Sequence, residues 1–196
     1  NSNSFEWVCD GINLPDTVSA NDHRYFSITS VDNTIVCSYK SDNSIKSISF
    51  TVDGILVTMN DSISLFESTN DIKSISSTYD SENDNIVYVV GYSDALKTSF
   101  ISASGSWTTT PEEISLTSIG NYEHGGVFQN AYCIYDELAN RVLYVWEIKN
   151  TSLSYVHQFV KTTKIVDGVH SISTTPIQID LSDLSQEFIV VPTVIS

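Results

Sequence analysis

Six consecutive residues, Asp80-Ser81-Glu82-Asn83-Asp84-Asn85, put three carboxylates and two side-chain amides into one short stretch. Oxygen ligands at alternate positions, here Asp80, Glu82 and Asp84, are what a hard cation such as Ca²⁺ takes. The stretch is not an EF-hand loop, because glycine is missing at its sixth position and glutamate at its twelfth. The competing reading is a solvated hairpin turn. The related stretch Asp136-Glu137-Leu138-Ala139-Asn140 has lost most of the oxygens, which favours the turn. Calcium is the one cofactor candidate.

Other chemistry-bearing residues are scattered. The four histidines, His23, His124, His157 and His170, show no metal-binding spacing. His124 stands beside Gly125-Gly126 in a long loop, where binding residues often sit, against the default of an exposed loop residue. Tyr92 and Tyr122, read in turn or loop contexts, are candidates for stacking on a sugar ring. Trp146 follows an apolar run and reads as core. No nucleophile elbow, phosphate loop or cysteine–histidine motif occurs. A glycosidase needs at least two converging carboxylates, and neither Glu112-Glu113 nor Glu147 singles itself out. No catalytic residue is assigned.

These residues lie on a repeat. Tyr79-Asp80 precedes a polar turn and the strand-like run Asn85-Ile86-Val87-Tyr88-Val89-Val90. Fifty-six residues later, Tyr135-Asp136 precedes a polar turn and Asn140-Arg141-Val142-Leu143-Tyr144-Val145. A shorter version is Val31-Asp32-Asn33-Thr34 with Ile35 to Tyr39, where Val31 takes the place of the tyrosine. Each copy has a later glycine turn, at Asp53-Gly54, Ser104-Gly105 and Asp167-Gly168. Nine and eleven residues beyond each glycine stand Ile63 and Leu65, Ile114 and Leu116, Ile177 and Ile179, the alternation of a strand with one buried face. Further strands are predicted before the glycines, at Ile45 to Val52, Leu96 to Ala103 and Leu153 to Val160.

Four short antiparallel strands per repeat of about 40–50 residues is the arithmetic of a β-propeller blade. The expected fold is all-β, a propeller or propeller segment of four-stranded blades, with a β-sandwich as the alternative. The expected division is one domain, 1–196. Within it, 1–24 ends a preceding blade, 25–71, 72–119 and 120–183 are blades, and 184–196 starts the next or closes the ring. Gly120 to Asn130 reads as a loop.

The chain has 196 residues and a formal net charge of −15, with nine Lys plus Arg. Without a basic patch, nucleic acid is not an expected partner. The charge also opposes anionic membrane surfaces, and no run of about 20 apolar residues is present. Cys9, Cys37 and Cys133 form neither a CxxC site nor a disulfide framework, and the latter two fall on strands as small apolar residues. The missing initiator methionine suits a mature product or an excised fragment.

The repeat of Tyr-Asp, polar turn, apolar strand, glycine turn and alternating strand resembles the β-propeller repeats of bacteriophage tail fibres and related virion surface proteins, over roughly residues 25–181. The resemblance implies a virion-surface or extracellular location, an oligomeric setting with other virion chains as partners, and a structural or receptor-binding role without catalysis. A host surface glycan or protein would be the contact. The alternatives are a secreted carbohydrate-binding lectin and a propeller-type glycoside hydrolase.

Overall fold

The computed structural model of the chain describes residues 23–54, 56–67, 71–93, 95–103, 114–118, 126–150, 156–166, 169–172 and 177–179. A 3-10 turn, His23–Tyr25, leads into β1 (Phe26–Val31), β2 (Thr34–Ser41), β3 (Ser44–Asp53) and β4 (Leu56–Glu67). These form a first antiparallel sheet in chain order. A second contains β5 (Ile72–Asp80), β6 (Asn85–Tyr92), β7 (Ala95–Ser102) and β8 (Ile114–Ser118), again in order. The third contains β9 (Gly126–Asp136), β10 (Arg141–Asn150) and β11 (Val156–Val166). Its outer edge is β12 (Val169–Ile172) and β13 (Ile177–Ile179), which both pair with β11. The described chain is thus all-β and antiparallel.

Hairpin chemistry sets the registers. Val31 pairs with Thr34 and Ser41 with Ser44 across two-residue turns, whose first residues, Asp32 and Asp42, have φ of 49° and 52°. Aspartate tolerates this left-handed region better than most residues because its short polar side chain bonds locally. Gly54, at φ 61°, does the same between β3 and β4. In the second and third sheets the first hairpin is longer, closing at Asp80–Asn85 and Asp136–Arg141.

This register corrects the alignment of the first repeat. Val31 occupies the last paired position, the place of Asp80 and Asp136, so Ser30 rather than Val31 matches the tyrosines. The two-residue turn leaves no chain between its ends for a side chain at Val31 to cap as Asp80 caps Glu82 and Asn83. Two strand boundaries also differ. Residues 126–130 belong to β9 rather than to a loop, because Gly126, Val127 and Phe128 pair with Asn150, Lys149 and Ile148. β11 runs on to Val166, since β10 pairs with it as far as Thr163 and a hairpin to β12 follows.

The repeat extends to its irregularities. The β3–β4 ladder shifts between Ile45 and Lys46, opposite Leu65. The β7–β8 ladder shifts between Leu96 and Lys97, opposite Leu116. A bulge at one place in two copies re-aims the same strand in each.

The sheets stack face to face. Between the first and second lie Val31, Val36, Ile45 and Leu65 against Ile75, Ile86, Tyr88 and Val90. Between the second and third lie Val87, Val89 and Leu96 against Cys133, Tyr135, Val142, Tyr144 and Trp146. β6 therefore sends alternate residues to opposite neighbours, and all eight are buried. A strand covered on both faces reads as a continuous apolar run.

The first strands also meet one another along a line. β9 is an edge strand, and three of its amides point away from β10. Ala131 N donates to Ser74 Oγ (3.0 Å), Cys133 N to Ser76 Oγ (3.3 Å) and Tyr135 N to Thr78 Oγ1 (3.1 Å). Ser77 N of β5 likewise donates to Ser27 Oγ of β1 at 2.9 Å. Hydroxyls on alternate residues of one first strand thus satisfy the bare edge of the next, which removes a hazard of exposed edges.

Candidate functional site

The carboxylate-rich turn is held by its own hydrogen bonds. Asp80 is buried, and its Oδ1 accepts from the amides of Glu82 and Asn83, both at 3.2 Å. Its Oδ2 accepts from Asn83 Nδ2 at 2.8 Å. Asp84 sits at φ 50° and accepts from the Tyr79 hydroxyl at 3.0 Å. The third sheet repeats the device. Asp136 Oδ1 accepts from Ala139 N at 3.2 Å, and Tyr135 OH donates to Asn140, at φ 46°, at 3.0 Å. Asp136 Oδ2 turns to Arg141 Nε at 3.1 Å.

So Tyr-Asp is a turn-building pair. The aspartate caps inner amides, and the tyrosine holds the strained residue. Asp80 and Asp84 each have a structural duty, Glu82 is exposed, and no cluster of three or more His, Cys, Asp or Glu side chains able to hold a metal occurs among the described residues. Burial pushes the Tyr79 and Tyr135 hydroxyls upward, and nearby carboxylates add to it.

Tyr92 corrects its expected role. It ends β6 rather than standing in a turn, is 1% exposed, and belongs to the core between the first two sheets. Lys97 Nζ lies 5.0 Å from its ring centre. The preceding Gly91 pairs with Ser74 and Leu96 inside the sheet, so it marks no turn. A sugar has no access to that ring. Tyr122 and His124 lie outside the described residues. Trp146 is fully buried, as its apolar strand implies. Cys37 and Cys133 are free and buried, and burial raises both thiols, Cys133 to about 12. Neither is an activated nucleophile.

The structure brings together residues that motif reading passed over. A cleft of about 90 Å³ opens among the first strands of all three sheets. Its walls include Arg24, Phe26, Ser27, Ser74, Asn130 and Tyr132. Asn130 Nδ2 donates to Glu147 Oε2 at 2.9 Å, and Glu147 is itself buried. A carboxylate accepts and does not donate when ionised, so this bond fixes which way the amide points. The amide oxygen of Asn130 is then left buried without a hydrogen-bond partner among the described residues. The cleft walls thus carry serine hydroxyls, a guanidinium and an aromatic ring, with a buried amide oxygen behind them, groups of the kind that hydrogen-bond to and pack against polar molecules. Alternating hydroxyls at Ser74, Ser76 and Thr78 were the available sequence signal for it. No carboxylate lines the cleft among the described residues.

No protein-family model matches this chain, and no curated protein matches it.

Proposed function

We propose that the chain is a non-enzymatic structural and binding module, built as a β-propeller or propeller segment. The observation that carries this reading is the line of hydroxyl–amide bonds from β1 to β5 and from β5 to β9. It joins two four-stranded sheets and one five-stranded sheet through their first strands, as blades meet about an axis. A sandwich has two sheets facing one another, whereas here the second sheet is covered on both faces by different sheets. The setting comes from the resemblance of the repeat: a virion surface appendage that contacts a host glycan or surface protein.

A rigid scaffold suits such a role, because loops and clefts held on stiff strands bind without an ordering cost. The cleft beside Asn130 offers hydrogen bonds and an aromatic edge to a polar ligand. The test is an immobilised glycan panel read two ways, by retention of the chain and by release of reducing sugar. Retention without release is expected on at least one glycan class. Release that persists in Glu147→Gln and Asp80→Asn samples of equal purity points to a contaminant. Release abolished by either substitution overturns the reading.

A further inference from the structure

The cleft among the first strands has hydrogen bonds left to give. Ser74 Oγ accepts from Ala131 N of β9 at 3.0 Å. A hydroxyl keeps its own proton after accepting, and no acceptor for the Ser74 proton stands among the described residues. Ser27 Oγ also accepts an amide, Ser77 N at 2.9 Å, but it lies 2.8 Å from the Ser77 hydroxyl and shares a proton with it. Arg24, from the 3-10 turn, brings to the same wall a guanidinium, which only donates. One acceptor is unspent as well. Asn130 gives Nδ2 to Glu147 at 2.9 Å, and its Oδ1 is buried without a partner among the described residues. Phe26, 37% exposed, adds an aromatic face.

Size narrows the ligand. Pockets that enclose a whole small molecule run to several hundred Å³ or more. A cleft of about 90 Å³ takes one substituent and leaves the rest of the molecule at its mouth. That substituent has to accept from Arg24 and Ser74, donate toward Asn130 and lay a small apolar group against Phe26. A hydroxyl has no apolar part. A carboxylate has no donor, and it enters against a formal net charge of −15. An acetamido group has all three parts in one plane: a carbonyl oxygen, an N–H and a methyl group.

We propose that the cleft binds the acetamido group of an N-acetylated sugar. The carbonyl oxygen accepts from Arg24 and Ser74. The N–H turns toward Asn130, whose side chain is half-buried in the wall, and relieves its oxygen of the cost of a buried, unpaired acceptor. The methyl group packs on Phe26, and the sugar ring stays at the mouth. Arg24 and Phe26 stand at the start of the first sheet, Ser74 on β5 and Asn130 on β9, so the site exists only where the three sheets converge. The inference rests on the glycan-binding reading above and names the class of glycan.

The experiment titrates the isotopically labelled full chain with four probes and follows its amide signals by nuclear magnetic resonance. The probes are N-acetylglucosamine, glucose, N-butanoylglucosamine and N-methylacetamide. The Ala131 amide, bonded to Ser74, reports from inside the cleft. N-acetylglucosamine should shift the Ala131 and Ser77 amides saturably. Glucose, which lacks the group, and N-butanoylglucosamine, whose acyl chain is too long, should bind at least tenfold more weakly. Arg24→Gln should weaken N-acetylglucosamine several-fold while the amide spectrum keeps its dispersion. The probe series on the parent chain decides the matter even where that variant fails to fold. Equal binding of glucose and N-acetylglucosamine, or shifts confined to amides away from the cleft, would overturn the inference and leave the glycan reading standing. N-methylacetamide binding as tightly as the sugar would overturn the sugar assignment in favour of a peptide amide. Should the immobilised panel retain the chain on glycans without N-acetyl groups only, this inference fails alone. Should no glycan retain it and N-acetylglucosamine leave the cleft amides unmoved, both readings fail.

Discussion

The Tyr144 hydroxyl of the third sheet lies 2.9 Å from Thr98 Oγ1 of the second, inside the apolar layer between them. Tyr88 stands in the same relation to Ser47 one interface earlier, at a longer 3.5 Å. Thr98 also donates to the Tyr88 carbonyl, and Thr163 donates to the Tyr144 hydroxyl. A phenol placed at the centre of each interface fixes the sliding register of two otherwise greasy faces, because a shifted sheet would strand a buried hydroxyl.

Tyr144→Phe should therefore destabilise the chain by about 1–2 kcal/mol, since it leaves Thr163 Oγ1 short of a partner in a dry layer. Tyr88→Phe should cost less, about 0.5–1 kcal/mol, because Ser47 and Ser38 keep their 2.9 Å bond to each other when the phenol is removed. Urea titrations of both variants check the order. Equal costs would show that the hydroxyls contribute alike whatever their distances.

The hydroxyl line from β5 to β9 makes a sharper prediction, because it can be read amide by amide. Ser76→Ala should speed hydrogen exchange at Cys133, and Thr78→Val at Tyr135, with Ala131 unchanged in both. Each substitution strands one amide, at a cost of about 1–3 kcal/mol when it is fully buried. Exchange mapped by nuclear magnetic resonance gives the answer. Uniform acceleration along β9 would mean that the strands are held by packing and that the hydroxyls are incidental.

Much of this architecture was legible because its determinants are local. Tyr79-Asp80 and Tyr135-Asp136 announce turns whose bonds span five residues or fewer, so the motif and its purpose occupy one stretch. The alternation of Ile63 with Leu65 survives in β4 for the same reason. What stayed hidden depends on neighbours distant in sequence. Ser74 and Ser76 look like the solvent face of a strand until β9 arrives 57 residues later to use them. Tyr92 looks like a turn residue after Gly91 until the first sheet buries it. Asn130 acquires meaning only when Glu147 claims its amide nitrogen across the β9–β10 pair. The one-residue error at Val31 has a different origin, because identical-looking Asp residues serve two turn lengths.

The turn device predicts how its two copies interchange. Asp84→Asn should be nearly neutral, since Asn140 does the same work in the third sheet at the same backbone angle. Asp84→Ala should cost about 1–2 kcal/mol through the lost Tyr79 bond and the left-handed backbone that alanine resists. Asp80→Ala should cost more than Asp84→Ala, because three bonds to a buried carboxylate disappear together. The same duties lead us to expect that millimolar calcium or its removal by chelator leaves the melting temperature of the parent chain unchanged. A calcium-dependent rise that Glu82→Gln abolishes would reinstate the turn as a cation site.

Alkaline conditions should weaken the fold, and the direction follows from three buried acids. Burial raises the Tyr88 hydroxyl from its ordinary 10.0 to about 12 and the Cys133 thiol from 9.0 to about 12. Tyr144 is raised as well, for the same reason. In each case the neutral form is the one the folded chain prefers. Below the ordinary values both states hold their protons and stability is fully present. As pH rises from 9.0 toward about 12, the unfolded chain ionises while the folded chain does not, so stability falls. Each such group steepens the fall by at most about 1.4 kcal/mol per pH unit. Denaturation midpoints should hold steady around neutrality and drop steadily above about pH 9. Tyr144→Phe, though less stable at neutral pH, should show the shallower decline, because one of the three acids is gone. A parallel decline in parent and variant would mean that Tyr144 is not shielded as the packing of Trp146 and Val142 around it requires.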